Sequence, residues 1–284
     1  MKCSKVPDVR FLLIIILNFT FCTVDSSFVQ NRSGKPAIHD LRISSNCPFS
    51  LPVSKHSVTS GSLQIIDREG YTSGHSNIYK TSLSVCEEIT KEELAGNAKR
   101  KDRFLSEPNV LPGDRAELSD YKNSGYDRGH LAAADNYKND QRLNDETFFL
   151  SNISPQIHTF NAGIWKRLEQ QIRDWVKRQG KIYVITGPLY IENSQEALGS
   201  LSRLKFIGKN KVGIPSHFYK ILVKDEKDIS VLAFVIRHEP SSSKVQLTKF
   251  LTSVDWIEEH SEINFLPALP VAEEYLESKV GEFW

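Results

Sequence analysis

The stretch from Gly125 to Gln170 constrains this chain more than any other part of it. Three segments follow one another there: Gly125-Tyr-Asp-Arg-Gly-His130, Leu150-Ser-Asn-Ile-Ser-Pro-Gln156 and Asn161-Ala-Gly-Ile-Trp-Lys-Arg-Leu-Glu169. The first sets a histidine where a strand meets a turn, with Gly129 letting the backbone bend. The second reads as a hydrophobic strand. The third opens a helix whose residues Ile164, Leu168, Ile172, Trp175 and Val176 form one apolar stripe, closed by Gln179 and a C-cap glycine at Gly180. At about 100° per residue, Asn161 falls near the middle of that stripe and Glu169 at its edge.

The rest of the chain supplies mostly strands. Ser62–Ile66 and Gly70–His75 read as hairpin arms around Asp67-Arg-Glu-Gly70, and Tyr79 to Ile89 alternates apolar and polar positions. Thr90-Lys-Glu-Glu93 has capping-box chemistry and starts a short helix. Phe104 to Asn123 is loop-like, with Pro108, Pro112 and Gly113. After Gly180, strands are expected at Lys181–Thr186, Phe206–Ile207, Val212–Ile214, Phe218–Val223 and Ser230–Ile236, with a small helix over Thr252–Glu258. Their connections are too short for helical crossovers, so the sheet should be antiparallel. The expectation is one α+β domain over residues 61–284, a central antiparallel sheet with flanking helices.

Two segments precede it. Residues 1–27 place Lys2, Lys5 and Arg10 before the apolar run Phe11–Leu17, which suits a signal peptide, with an uncleaved anchor as the alternative. The run is too short and interrupted for a span of roughly 20 apolar residues. A mitochondrial presequence would be Arg-rich and amphipathic. The expected destination is therefore secreted, periplasmic or extracellular, with membrane anchoring or a mitochondrial location as alternatives and no stable membrane partner. Residues 28–60, rich in Ser, Asn and Pro, read as an extended arm, with a glycosylation triplet at Asn31-Arg-Ser33.

Composition excludes little. Thirty-six basic against 35 acidic residues leave a net charge of +1, so any field that attracts phosphate must be local. Of the four cysteines, Cys47 and Cys86 lie clear of the leader; in an oxidising compartment they either pair or stay free. Neither has metal-ligand spacing around it.

Taken singly, the marked residues invite plain explanations. An asparagine at a helix start is usually an N-cap, worth roughly 1 kcal/mol. A buried histidine usually just satisfies its hydrogen bonds. Together they suit a harder task. Cleaving a phosphodiester needs a base for water, charge neutralisation at the phosphoryl oxygens and a cation at the leaving oxygen. Neutral imidazole suits the first near pH 7. Arg128 or the run Lys99-Arg-Lys-Asp-Arg103 can supply the second, although such a run is more often a solvated face. Mg²⁺ prefers oxygen ligands and keeps several waters, so one amide oxygen plus a substrate phosphate can hold it, with Glu169 gripping a metal-bound water.

The residues Tyr126-Asp-Arg-Gly-His-Leu-Ala-Ala-Ala134, Phe148-Phe-Leu-Ser-Asn-Ile-Ser-Pro-Gln156 and Asn161…Trp165…Leu168-Glu169 resemble the DNA/RNA non-specific endonucleases of the ββα-metal (His-Me finger) fold, the family that includes endonuclease G. Ile185–Leu189, Ile207–Val212, Pro215–Lys220 and Phe265–Pro267 extend the likeness over about residues 60–270. The resemblance implies His130 as general base, Asn161 as the direct ligand of one Mg²⁺ (Mn²⁺ substituting) and Glu169 as anchor of its water shell. Asn152 would position His130 or the phosphate, and Arg128 would support the site. The family's upstream phosphate-stabilising arginine is assigned to Arg103, although the spacing does not select cleanly among Arg100, Arg103 and Arg115. Arg100 and Arg115 are then expected to touch substrate, as are Lys166 and Arg167. The resemblance further implies DNA and RNA as substrates, 5′-phosphate ends and a homodimer.

The remaining histidines carry plain readings. His158 enters the long helix and is expected to cover the site, and His75 and His217 to be structural. His39, His56, His238 and His260 have no company that suggests chemistry.

Overall fold

A computed structural model describes residues 44–49, 53–54, 63–191, 204–225, 228–240, 244–270 and 273–284. The leader, the glycosylation triplet, Cys3, Cys22, His39 and His56 lie outside them. One compact unit extends over residues 38–284.

Its frame is a seven-stranded sheet. The strands are β1 (Gln64–Asp67), β2 (Thr72–Ser76), β3 (Thr81–Thr90), β6 (Lys181–Leu189), β7 (His217–Asp225), β8 (Ile229–Arg237) and β9 (Leu251–Thr252). Their spatial order is β9-β8-β7-β6-β3-β2-β1, and every pairing is antiparallel, as expected from the short connections. Outside it, β4 (Asp127–His130) and β5 (Ile153–Gln156) form a separate antiparallel pair with His130 opposite Ile153.

The period of two along each strand separates the faces. On one face Val184, Phe218, Leu222, Leu232 and Phe234 pack with Leu168, Ile172, Trp175 and Val176 of the long helix. On the other, Ile185, Tyr219, Ile221 and Ala233 pack with Val254, Ile257, Phe265 and Leu266. Fully burying such an apolar side chain contributes about 1.5–3 kcal/mol, so the long helix is anchored mainly by this stripe.

The helix itself (Lys166–Gln179) ends as expected at Gly180, which has φ +101° and whose N–H donates to Val176 O at 2.8 Å. Its beginning differs from the sequence reading. Phe160–Trp165 form a π-helical turn, with Gly163 at φ −102°, ψ −108°. Asn161 is not an N-cap: Thr159 is already helical, and the Asn161 N–H donates to Ile157 O at 2.9 Å. The widened turn takes the Asn161 side chain away from capping, and Gly163 is the residue that tolerates the kink.

Other departures are local. Leu118–Tyr121 is a helical turn inside the expected loop, closed by reciprocal bonds between Glu117 and Asp120. The small C-terminal helix runs Val254–Ser261, because Ser253 caps it by accepting from Trp256 N at 3.2 Å. Thr90 and Glu93 form the expected capping box. Cys47 and Cys86 are bridged, with Cα atoms 5.7 Å apart, and Phe49 beside them is buried. Cys47 and Phe49 of the expected arm therefore belong to the core.

Candidate active site

The turn after β4 is built to present His130. A Cβ at position 129 would lie 2.1 Å from Gln156 Cδ, so glycine there leaves the Gln156 side chain room to lie across β4. Past His130 the chain is fastened by Asn152. Its Oδ1 accepts from Ala132 N, its Nδ2 donates to Ala132 O and Thr147 O, all at 2.9 Å, and its own carbonyl accepts from Leu131 N at 2.9 Å.

His130 is only 7% exposed and stands edge-on to Phe148, ring centroids 4.9 Å apart. Its Nε2 is buried and meets no hydrogen-bond partner among the described residues. Burial first, then the nearby Arg100 and Arg128, push its pKa down to about 3 against the opposing pull of Asp135. The imidazole is thus neutral at physiological pH.

One cleft of about 310 Å³ brings His130 together with Asn161, Glu169, Arg100, Arg128 and Lys166. Asn161 donates through Nδ2 to Asp127 Oδ2 at 3.0 Å. With the amide so assigned, no donor among the described residues engages its Oδ1. Glu169 lines the same cleft, where burial raises its pKa and Lys220 and Arg173 counteract that rise. Arg128 lies with Cζ 4.2 Å from the centre of the Phe104 ring, and Arg100 with Cζ 5.1 Å from that of Phe148, so both cations are held on aromatic faces beside the imidazole.

This donor set fits one hydrated hard cation. A free amide oxygen and an acidic side chain share a wall, and Mg²⁺ needs few protein ligands because it keeps its waters. No group of three or more His, Cys, Asp or Glu able to hold a metal occurs among the described residues, which leaves a zinc-hydrolase ligand set without a location there.

A model of the DNA/RNA non-specific endonucleases matches residues 52–272. The chain belongs to this endonuclease family.

Among the relatives of this endonuclease, the mitochondrial endonuclease G of Homo sapiens is 34% identical over 210 residues, covering 73% of this chain and 71% of that protein. The mitochondrial nuclease of Saccharomyces cerevisiae is 36% identical over 217 residues, 72% of this chain and 66% of that one. A crystal structure of an EndoG/EndoGI complex superposes with a TM-score of 0.69 at 30% identity, covering 74% of this chain and 89% of the other. The α+β fold is accordingly the ββα-metal nuclease fold, with β4, β5 and the long helix as its ββα unit.

The other expected site residues of the endonuclease divide. Asn152 is fully buried, and both of its side-chain polar atoms bond to backbone groups, so it positions the histidine turn and touches nothing in the cleft. Arg103 is exposed and does not line the cleft; Arg100 does. Asp102, in a left-handed conformation at φ +50°, turns the chain between them and bonds Arg100 Nε at 2.7 Å. Arg115 instead braces its own loop, donating to Glu107 O, Val110 O and Glu117. Arg167 turns toward Val245 O, while Lys166, one residue earlier, lines the cleft. His158 is exposed and bonds Asp127 Oδ2 through Nδ1 at 2.8 Å. His75 and His238 are buried and hydrogen-bonded, the latter donating from Nδ1 to Pro215 O and accepting Ile157 N–H at Nε2.

Two contributors escaped the sequence reading. Asp127 orients Asn161, yet in sequence it is only one carboxylate of the histidine motif. Lys220, 2% exposed, donates to Thr186 Oγ1 at 2.8 Å and Leu131 O at 3.4 Å, beneath Trp165. Burial lowers its pKa, and the charges of Glu169 and Glu87 resist that lowering. Its signal was a charge at a core-facing position, between Phe218 and Leu222, in an otherwise apolar strand.

Proposed function

We propose that this nuclease hydrolyses phosphodiester bonds of DNA and RNA by the attack of water at the His130 cleft, leaving 5′-phosphate ends. The observation that carries the reading is the convergence of His130, Asn161, Glu169, Arg100 and Arg128 on one cavity. His130, neutral above about pH 3, takes the proton from the attacking water. Arg100 and Arg128 offset charge on the phosphoryl oxygens, with Arg100 in the role expected of Arg103. Asn161, through its amide oxygen, and Glu169, through water, would hold a hydrated Mg²⁺ or Mn²⁺, which when bound stabilises the leaving oxygen. Asp127 fixes the amide, and Asn152 fixes the turn that bears the histidine.

The test is nicking of supercoiled plasmid and of RNA by the full chain. Chelator should abolish cleavage, and Mg²⁺ or Mn²⁺ should restore it. His130→Ala should lower the rate by about 10²–10⁴-fold, the usual worth of a general base. Cleavage that survives chelation, or a His130→Ala chain near wild-type activity, sinks the reading.

For the compartment, the mitochondrial names of the relatives favour the mitochondrial alternative over secretion. The Cys47–Cys86 bridge suits an oxidising compartment on either route. A secretory route keeps one observation on its side, the solid apolar block Phe11–Leu17. No described helix is long and apolar enough to cross a membrane. Fractionation of the tagged full-length chain decides between the two. Homodimerisation belongs to the same proposal, and light scattering of the purified chain tests it.

A further inference from the structure

Lys220, on β7, is 2% exposed and does not line the cleft. An ammonium taken out of water is costly unless it is hydrogen-bonded and paired with opposite charge. A neutral donor could make the same two hydrogen bonds without that cost. The charge has a reason in what surrounds it.

Nζ donates at 3.4 Å to Leu131 O, the carbonyl of the residue after His130, and at 2.8 Å to Thr186 Oγ1 on β6. It also stands 4.8 Å from the centre of the Trp165 ring. Trp165 lies four residues after Asn161 and four before Glu169, where the π turn joins the long helix. One atom thus meets the turn that bears the histidine, the segment that bears Asn161 and Glu169, and the main sheet. The histidine turn has use for such a tie, because β4 and β5 pair only with each other and not with the seven-stranded sheet.

Two carboxylates act on this ammonium, Glu169 at the cleft and Glu87, 1% exposed on β3. Glu87 Oε2 accepts from Asn136 Nδ2 and from the Tyr137 hydroxyl, each at 3.0 Å. Asn136 Oδ1 in turn accepts from Arg173 Nη1 at 3.3 Å, one helical turn beyond Glu169. A buried polar column therefore leaves the long helix at Glu169 and returns to it at Arg173, with Lys220 and Glu87 between.

We propose that Lys220 is a positioning residue for the hydrolysis, holding the His130 turn and the Asn161–Glu169 segment in register, with Glu87 as its buried counter-charge. The inference rests on the reading of the His130 cleft as the phosphodiester site. It adds what sets the spacing between the base and the residues that would hold the cation.

The test separates register from stability. Lys220→Met keeps the length of the side chain and loses its charge and donors. It should lower the urea midpoint, because Glu169 and Glu87 are left without their cation. Adding Glu87→Gln removes one anion to match and should recover at least half of that loss. Rates on supercoiled plasmid are then read well below each unfolding transition. The double variant should still show kcat about ten-fold or more below wild type, with KM within about two-fold. Its Kd for Mn²⁺, read from the EPR signal of the free ion without nucleic acid, should rise about ten-fold. A kcat that recovers together with the midpoint, a loss carried by KM, or an unchanged Mn²⁺ Kd overturns the register. The wild type on the same plasmid tells the two failures apart. If it cuts and the double variant cuts equally well, Lys220 alone loses its role. If it cuts nothing, the hydrolytic reading fails, and the register proposed for that reaction falls with it.

Discussion

Asp127 and Asn161, 34 positions apart, are joined by a 3.0 Å hydrogen bond from Asn161 Nδ2 to Asp127 Oδ2. A carboxylate only accepts when ionised, so this contact fixes which end of the amide faces away from it. The oxygen is thereby offered to the cleft. Asp127→Asn removes that constraint, because an amide partner can donate or accept. It should lower kcat/KM by roughly 10–100-fold and raise the Mg²⁺ concentration for half-maximal rate, as loss of an outer-shell partner commonly does. A metal titration that superposes on the wild type would show that Asn161 needs no such partner.

The buried imidazole links the site to stability. The His130 pKa falls from the ordinary 6.5 to about 3 on folding, with burial the leading cause. Between those values the unfolded chain binds a proton that the folded chain refuses. Stability from this group is therefore complete above pH 6.5 and declines as pH falls toward 3. Relative to His130→Asn, which does not titrate, the wild type should lose up to about 2 kcal/mol between pH 6.5 and 5. Urea midpoints of both proteins at pH 7.5 and 5 measure this. A constant gap would mean that the imidazole is solvated.

Asn152 should behave as a positioning residue. Asn152→Ala leaves the N–H and C=O of Ala132 and the carbonyl of Thr147 without that partner in a buried place. Each unsatisfied buried group costs about 1–3 kcal/mol, so a total near 3 kcal/mol or more is expected. Because the displaced turn carries His130, kcat should fall with KM little changed. A variant of full stability and reduced affinity for substrate would return Asn152 to the substrate-contacting role.

The bridge from Cys47 to Cys86 closes a sequence separation of 39 residues. Chain-entropy arguments put its worth at roughly 4 kcal/mol. Cys47→Ser, or reduction of the wild type, should lower the urea midpoint to match. Insensitivity of the wild type to reductant would mean that the two thiols are free in solution.

Local pattern was enough for much of the architecture. The apolar runs Lys181–Thr186 and Phe218–Val223, the stripe Leu168-Ile172-Trp175-Val176 and the stop at Gly180 are short-range signals, and each element appeared where they put it. The histidine motif was equally legible, since Asp127 through His130 are consecutive. What remained open were choices between residues that pattern cannot rank. Arg100 and Arg103 are alike in sequence, and only the left-handed turn at Asp102 sends one of them to the cleft. Asn161 suits an N-cap by type, and only the π turn at Gly163 makes it something else.

The chain's own order of residues thus determined the sheet, the long helix and the histidine motif, because hydrophobic periodicity and cap chemistry act within a few positions. Tertiary packing decided the Asp127–Asn161 contact, the burial of Lys220 under the site, the pairing of Cys47 with Cys86 and the retreat of Arg115 and Arg167. These depend on which distant surfaces meet, and the free energy of burying a charge or an amide exists only once both sides are in place.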